Sequence, residues 1–172
     1  MASAMARTRD LHAAMDAALE ALLPVLGLEV GGVYLLDART GELRATRYRG
    51  VDPEYVRAVE RFSRGEALLG TALEGEVPVV VADLSAAEQA REATRNLGVR
   101  SVAFVPLYAR GRAMGVMPVG SFDLHEFSPD DLRLLSAVGG MLGLAIDNER
   151  LADQSRRHLA EVRMLWEIDR AL

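Results

Sequence analysis

The sequence contains neither cysteine nor lysine. Because cysteine is missing, the chain can form no disulfide, bind no metal through thiolates and use no cysteine nucleophile. All 20 basic residues are therefore arginine. Together with the many alanines and leucines, this usage is typical of a GC-rich bacterial genome.

Charge and hydropathy argue against two kinds of partner. The formal net charge is −5, and charges of both signs are scattered along the chain, so no basic stripe is available for nucleic acid. No apolar run approaches the roughly 18–20 residues that a membrane-spanning helix needs. The first ten residues also lack the apolar region of a secretion signal. We expect a cytoplasmic protein that binds neither nucleic acid nor a membrane.

The length of 172 residues and the hydrophobic content of 50% suit one compact domain. Apolar side chains at three- and four-residue steps predict a first helix from Leu11 to Leu26. Strand and short-helix signals alternate after it. Strands are predicted at 31–37, 43–49, 77–81, 101–107 and 113–120, and short helices at 52–62, 66–74 and 86–97. Short turns join neighbouring strands, which predicts an antiparallel α+β sheet with helices on both faces.

Two strands carry further information. Strand 43–49 is rich in arginine, which is typical of a sheet edge with one wet face. In Val102–Val105 and Val116–Val119 both side-chain parities are apolar, so both faces of the sheet are covered. Pro118 interrupts the second of these stretches and cannot donate to a ladder. It predicts either a bulge or missing pair, or an unpaired backbone site beside a pocket.

The last predicted element is a long helix. Ser128, Pro129 and two following acids form an N-terminal cap, and no proline interrupts the chain from there to Leu172. The helix would be about 60 Å long at 1.5 Å per residue. That exceeds what a core of this size covers, so the excess must be exposed or pack on another chain.

Four stretches in order resemble a GAF domain: ALEALLPVLGLEVGGVYLLD, GEALLGTALEGEVPVVVADL, GVRSVAFVPLYARGRAMGVMPVGS and FSPDDLRLLSAVGGMLGLAIDNERL. The resemblance covers nearly all of Leu11–Glu149. It implies a central antiparallel sheet with the first and last helices on one face. On the other face it implies a small-molecule pocket, roofed by the short helices and loops.

The resemblance also suggests how the chain is organised. We expect a lead-in at 1–10, the GAF domain at 11–150 and a helical extension at 151–172. The stretch Glu161–Leu172 resembles the opening helix of another GAF domain. We therefore expect a fragment of a larger signalling protein, with an output module such as a histidine kinase, a diguanylate cyclase or a transcription activator downstream.

The family pocket implies a set of candidate ligand-binding residues. They are Phe104, Arg91, Arg95, Asn96, Asp83 and Thr71. Arg91 and Arg95 are expected one helical turn apart, where together they could receive an anion; alternatively both are solvated surface charges. The ligand is expected to be a small anionic or partly polar molecule of unknown identity. The alternative function is a ligand-free dimerisation and relay module.

Several chemistries known in the family are disfavoured. Methionine sulfoxide reduction and covalent bilin attachment both use cysteine, so we expect no catalysis and no covalent bilin. Cyclic-nucleotide binders carry an Asn-Lys pair and a Phe-x-x-x-Asp-Glu run, whereas here Phe127 and Asp131 are followed by Leu132. A helix cap is the favoured interpretation. His12, His125 and His158 are too far apart to predict a metal site, although one histidine could suffice for haem.

A seven-residue repeat in the last helix predicts a coiled-coil seam. Its members are Leu144, Leu151, His158, Leu165 and Leu172. The complementary positions are mixed, since Val162 is apolar while Asn148, Ser155 and Asp169 are polar. A weak seam suits a switch between two packings. We expect a parallel homodimer joined through the first and last helices; the alternative is a single exposed helix.

Overall fold

A computed structural model describes residues 2–171, and the side chains of residues 4–170. It confirms the α+β fold, with six antiparallel strands in the order β3-β2-β1-β6-β5-β4. The strands are β1 Val30–Leu36, β2 Glu42–Arg49, β3 Arg61–Ser63, β4 Val79–Val81, β5 Ser101–Ala109 and β6 Arg112–Ser121. The helices are α1 Ala2–Leu26, α2 Pro53–Ala58, α3 Ala67–Ala72, α4 Glu92–Asn96 and α5 Pro129–Ala171, with a 3₁₀ turn at Leu84–Ala86.

The sheet separates two apolar layers, as the two-sided apolar strands predict. On one face α1 and α5 pack against the sheet, and the buried side chains there include Met15, Leu19, Val33, Val105, Met117, Leu135 and Ile146. On the other face α2, α3, the 3₁₀ turn and α4 form a roof. The buried side chains under this roof include Tyr34, Leu43, Phe62, Leu73, Leu84, Phe104 and Val116.

A bulge in β2 decides which of its side chains face the roof. The pairing of β2 with β1 skips Thr46, between the pairs Val33–Arg47 and Tyr34–Ala45. An extra residue reverses the side-chain alternation beyond it. Arg47 therefore points to α1, where its Nε lies 2.9 Å from Oδ1 of Asp16.

Farther along β2, Arg49 likewise pairs with Glu20 of α1. The expected edge position of this strand was wrong for its first part, because β3 pairs with Glu42–Arg44. Two arginines in the remaining part of β2, Arg47 and Arg49, form ion pairs with α1.

Helix α5 lies directly on β5 because two of its residues are glycine. A Cβ at Gly139 would lie 2.9 Å from the carbonyl oxygen of Pro106, and one at Gly143 would lie 2.6 Å from that of Tyr108. The predicted cap of α5 is confirmed. The amide of Asp131 donates to the Ser128 hydroxyl over 3.2 Å, and the Ser128 amide donates back to the Asp131 carboxylate over 2.8 Å.

The long helix extends far beyond the sheet. Its 43 residues span about 65 Å at 1.5 Å per residue. Every side chain from Arg157 to Arg170 is exposed. No described helix is both long and apolar enough to cross a membrane.

The short elements depart most from the prediction. The helix expected at 52–62 ends at Ala58, and the chain then forms the unpredicted strand β3. The helix expected at 86–97 is replaced by the 3₁₀ turn, a second turn in which the Ala90 amide donates to the carbonyl oxygen of Ala87, and the five residues of α4. Segments this short show too few repeats for periodicity to identify them.

Candidate functional site

A cavity of about 100 Å³ lies between the sheet and the roof. Strands β1, β2, β5 and β6 supply its floor, and the segments around α2, α3 and α4 supply its cover. Most of the wall is apolar. The floor includes Gly32, Tyr34, Ala45, Tyr48, Val102, Phe104 and Pro118, and the cover includes Tyr55, Val56, Val59, Phe62, Leu68, Leu84, Ala90, Arg91, Thr94 and Leu97.

The sheet is irregular at the cavity floor, where the pairing of β1 with β6 is interrupted. The ladder between β1 and β6 pairs Gly31 with Val119 and Tyr34 with Val116, and it omits the positions between them. Pro118 lies there and has no N–H to donate. The missing pair predicted at Pro118 is confirmed on the β1 side, whereas on the other side Pro118 pairs with Phe104 of β5; Pro118 also lies on the cavity wall. On β1, a Cβ on Gly32 would lie 3.3 Å from the carbonyl oxygen of Arg47. Because glycine has no side chain, this part of the floor stays unfilled.

Two tyrosines bring neutral hydroxyl groups to the wall. The hydroxyl of Tyr34 donates to the carbonyl oxygen of Val59 over 3.1 Å, and burial raises its pKa well above the usual range. Burial also raises the pKa of Tyr55, against a smaller opposing effect of the Thr94 hydroxyl. Both phenols therefore stay protonated and can act as hydrogen-bond donors.

Arg91 brings a positive charge to the same wall. Its guanidinium carbon lies 3.8 Å from the centre of the Phe62 ring, and it forms an ion pair with Glu66. The second carboxylate oxygen of Glu66 accepts from the Ser63 amide over 2.7 Å. The Ser63 amide chiefly, and Arg91 further, lower the pKa of Glu66. Glu66 is therefore an ionised carboxylate that balances the positive charge of Arg91.

The structure places two of the six predicted residues on the cavity wall, namely Phe104 and Arg91. Arg95 lies outside it and donates to the carbonyl oxygen of Ala87 over 3.3 Å. Asn96 is an exposed residue at the end of α4.

The remaining two predicted residues have local structural roles away from the wall. Asp83 caps the 3₁₀ turn and pairs with Arg100 at 2.8 Å, which lowers the pKa of its carboxyl group. The hydroxyl of Thr71 donates back to the carbonyl oxygen of Leu68 over 2.9 Å.

Arg91 and Arg95 lie one helical turn apart as expected, since Arg91 is the N-cap of α4 and its carbonyl oxygen accepts from the Arg95 amide over 3.1 Å. The structure does not bring their guanidinium groups together: Arg91 lies on the cavity wall and pairs with Glu66, whereas Arg95 lies outside the wall. Three further wall residues, Tyr34, Tyr55 and Phe62, were not predicted from the sequence. The one signal for Tyr34 was a tyrosine within an otherwise apolar strand, since a buried tyrosine usually finds a partner for its hydroxyl.

The histidines lie away from the cavity. His12 is on α1, His125 is in the loop between β6 and α5, and His158 is on the exposed part of α5. Among the described residues, no three acidic or histidine side chains gather into a group that could hold a metal ion. Phe127 is buried and lies edge-on to His125 with ring centres 4.8 Å apart, in keeping with the helix-cap interpretation of this motif.

Comparison with known proteins identifies the family. The GAF domain model matches residues 8–147. A domain of a protein described as a two-component sensor histidine kinase from Sinorhizobium meliloti 1021 is 26% identical, with a TM-score of 0.68 over 83% of this chain and 94% of that one. The free methionine-R-sulfoxide reductase from Neisseria meningitidis, in complex with its substrate, is 26% identical, with a TM-score of 0.70 over 83% and 81%. The GAF domain of an Acinetobacter phosphoenolpyruvate-protein phosphotransferase shares the fold at 23% identity, with a TM-score of 0.72 over 84% and 86%.

Proposed function

We propose that this chain, which belongs to the GAF domain family, senses a small molecule. Members of the family are regulatory and sensory modules of sensor kinases and other signalling proteins. The ligand binds in the cavity under the roof, and α1 and α5 carry the signal to an attached output module. A kinase, a cyclase or a transcription activator would each suit this arrangement. The cytoplasmic location stays a prediction of the sequence.

The cavity is the observation that carries this proposal. Its volume of about 100 Å³ is enough for several water molecules and is about two thirds of the roughly 150 Å³ of an engineered apolar cavity that binds benzene, so the buried part of a ligand must be small. Ligand sites are typically apolar with a few convergent polar groups. Here those groups are the hydroxyls of Tyr34 and Tyr55 and the guanidinium of Arg91. The reductase from Neisseria meningitidis was solved with its substrate, which supports small-molecule binding on this fold.

We do not propose catalysis for this domain. The sulfoxide reductases of this family use cysteine, and this chain has none. Turnover of free methionine sulfoxide by the purified protein would contradict this part of the proposal.

The outward side of α5 supports signal relay through a homodimer. Leu134, Met141, Leu144 and Leu151 are exposed, and Met141 has 72% of its surface accessible. Leu144 and Leu151 belong to the predicted seam, and Leu134 and Met141 continue its complementary positions, Asn148 and Ser155, back over the sheet at heptad spacing. Among the predicted seam positions, His158 and Leu165 are also exposed, whereas Leu172 lies outside the described residues. The same surface favours the second candidate function, a relay module that binds no ligand.

A matched pair of variants tests ligand binding. Ala45 lies on the cavity floor, and Ala45→Leu would fill the space, whereas Ala58→Leu adds the same side chain at an exposed position of α2. A ligand at about 100 times its Kd stabilises the native state by about 2.7 kcal/mol, which raises Tm by about 5–10 °C for a domain of this size. A thermal-shift screen of small metabolites should give such hits for the wild type and Ala58→Leu, and not for Ala45→Leu. Hits that persist in a folded Ala45→Leu protein would place binding elsewhere.

A further inference from the structure

We propose that the cavity takes a small carboxylic acid with an aromatic or branched apolar body, whose carboxylate replaces that of Glu66 on Arg91. The inference rests on the proposed ligand-binding function and specifies the ligand class and the residue that selects it. It also assigns Glu66 as the group that occupies the carboxylate position in the unliganded domain.

Arg91 lies on the cavity wall, whereas its partner Glu66 is not among the wall residues, so a ligand carboxylate would reach the guanidinium from the cavity side. Its guanidinium lies over Phe62, a wall residue that is itself packed edge-on against Tyr34 with ring centres 5.8 Å apart. Arg47 is the other arginine on the described wall, but its side chain points to the opposite face and pairs with Asp16. Arg91 therefore supplies the positive charge on the ligand side of the sheet.

Glu66 is able to leave Arg91 at little cost. Its side chain is 42% exposed, and exposed ion pairs contribute little to stability because water competes with them. Its second oxygen remains bound to the Ser63 amide, so the carboxylate keeps a partner after the exchange. A ligand carboxylate held in a less wet site gains more from the same guanidinium, since charge-assisted hydrogen bonds strengthen as water is excluded.

The other wall residues determine the size and polarity of the part of the ligand that the cavity buries. Phe104, Val102 and Leu84 are buried apolar side chains on it, so an apolar body is buried favourably. A volume of about 100 Å³ suits a short branched chain, and an aromatic ring fits only if the roof moves outward, since the engineered cavity that binds benzene is about 150 Å³. Tyr55 is neutral and can donate to a ligand oxygen without repelling its charge, whereas the hydroxyl hydrogen of Tyr34 is already donated to the carbonyl oxygen of Val59.

The exchange would also alter the roof. The Arg91–Glu66 ion pair joins the start of α3 to the segment before α4, so a ligand that takes Arg91 releases one roof segment from the other. Ala67, next to Glu66, has a φ of +53°, a strained conformation for alanine. Movement of the released segment would relieve this strain. Ligand binding is therefore coupled to the conformation of the roof.

Calorimetric titration of the whole chain with matched probes tests the proposal. The probes are benzoate and isovalerate, each compared with its uncharged amide, benzamide and isovaleramide. Wild-type protein should bind each acid at least tenfold more tightly than its amide. Arg91→Gln should remove that preference, Glu66→Gln should tighten acid binding about threefold or more, and Arg95→Gln should change nothing. Arg91→Lys keeps the charge and should retain part of the preference, which guards against an Arg91→Gln protein that fails to fold.

Three outcomes would overturn the proposal. If acids and amides bind equally and Arg91→Gln alters neither, the ligand class is wrong while the ligand-binding function stands. If Glu66→Gln weakens acid binding, the exchange with Glu66 is wrong. If neither acid nor amide binds any folded variant, the carboxylate class and a ligand of this size both fail.

Discussion

Among single residues, Asp147 is the most deeply buried charge of α5. It is 1% exposed, yet its two partners, Arg110 and Arg112 of the β5–β6 hairpin, are largely exposed and each lies 3.3 Å away. Removing a buried charge and removing its partners therefore have unequal consequences. An unpaired buried carboxylate is costly, whereas an unpaired exposed arginine is solvated by water.

That asymmetry gives a stability prediction. The double variant Arg110→Gln/Arg112→Gln leaves Asp147 buried without a counter-charge and should lose about 3 kcal/mol of unfolding free energy. Adding Asp147→Asn to the double variant should restore most of the loss. Urea denaturation at pH 7 measures both effects, with Arg133→Gln as a control because the Arg133–Asp130 pair is exposed. A double variant as stable as the wild type would contradict the role of the pair.

Among the elements, the ones with strong local signals were predictable and the roof was not. The capped helix α5 and strands β5 and β6 were predicted because a proline after a capping serine, a glycine turn and long apolar runs identify them. The bulge at Thr46 was not predictable, because β2 has no clear alternation to interrupt. Since that bulge turns Tyr48 to the cavity and Arg47 to α1, the part of the wall on β2 could not be assigned from the sequence, and the cover could not be assigned because the short roof elements differ from the predicted helices.

The close packing of α5 on β5 gives a second stability prediction. Gly143→Ala would place a methyl group 2.6 Å from backbone atoms of Tyr108, so the helix must shift, at a cost of about 2 kcal/mol. Gly140→Ala meets nothing within 4 Å and should stabilise the domain by about 0.5–1 kcal/mol through helix propensity. Thermal unfolding of the two variants decides the matter. Equal melting temperatures would show that α5 does not approach the strand this closely.

At the scale of the whole molecule, α1 and α5 both leave apolar side chains exposed. Val25 on α1 and Met141 on α5 are both more than 70% exposed, and the two helices pack side by side. A homodimer through these two helices would bury apolar side chains that a monomer leaves in water. The polar positions Asn148 and Ser155 would keep such a seam weak, as suits a helix pair that changes its packing.

Cysteine substitution tests this arrangement cleanly, because the natural chain has no cysteine. In a parallel pair Leu151→Cys lies opposite its own copy within disulfide reach, whereas Ala160→Cys lies on the far side of the helix. We predict oxidative crosslinking of the first variant and little of the second, together with a dimer in sedimentation equilibrium at tens of micromolar. A monomer at that concentration, or equal crosslinking at both positions, would contradict the parallel seam.

The central claim is that the cavity holds a small molecule, and native mass spectrometry of the protein purified from its own host tests it most directly. The wild-type protein should carry a small added mass that is lost on denaturation, and Ala45→Leu purified in the same way should lack it. A wild-type protein that always has the mass of the bare chain would contradict the claim and leave a relay module without a ligand.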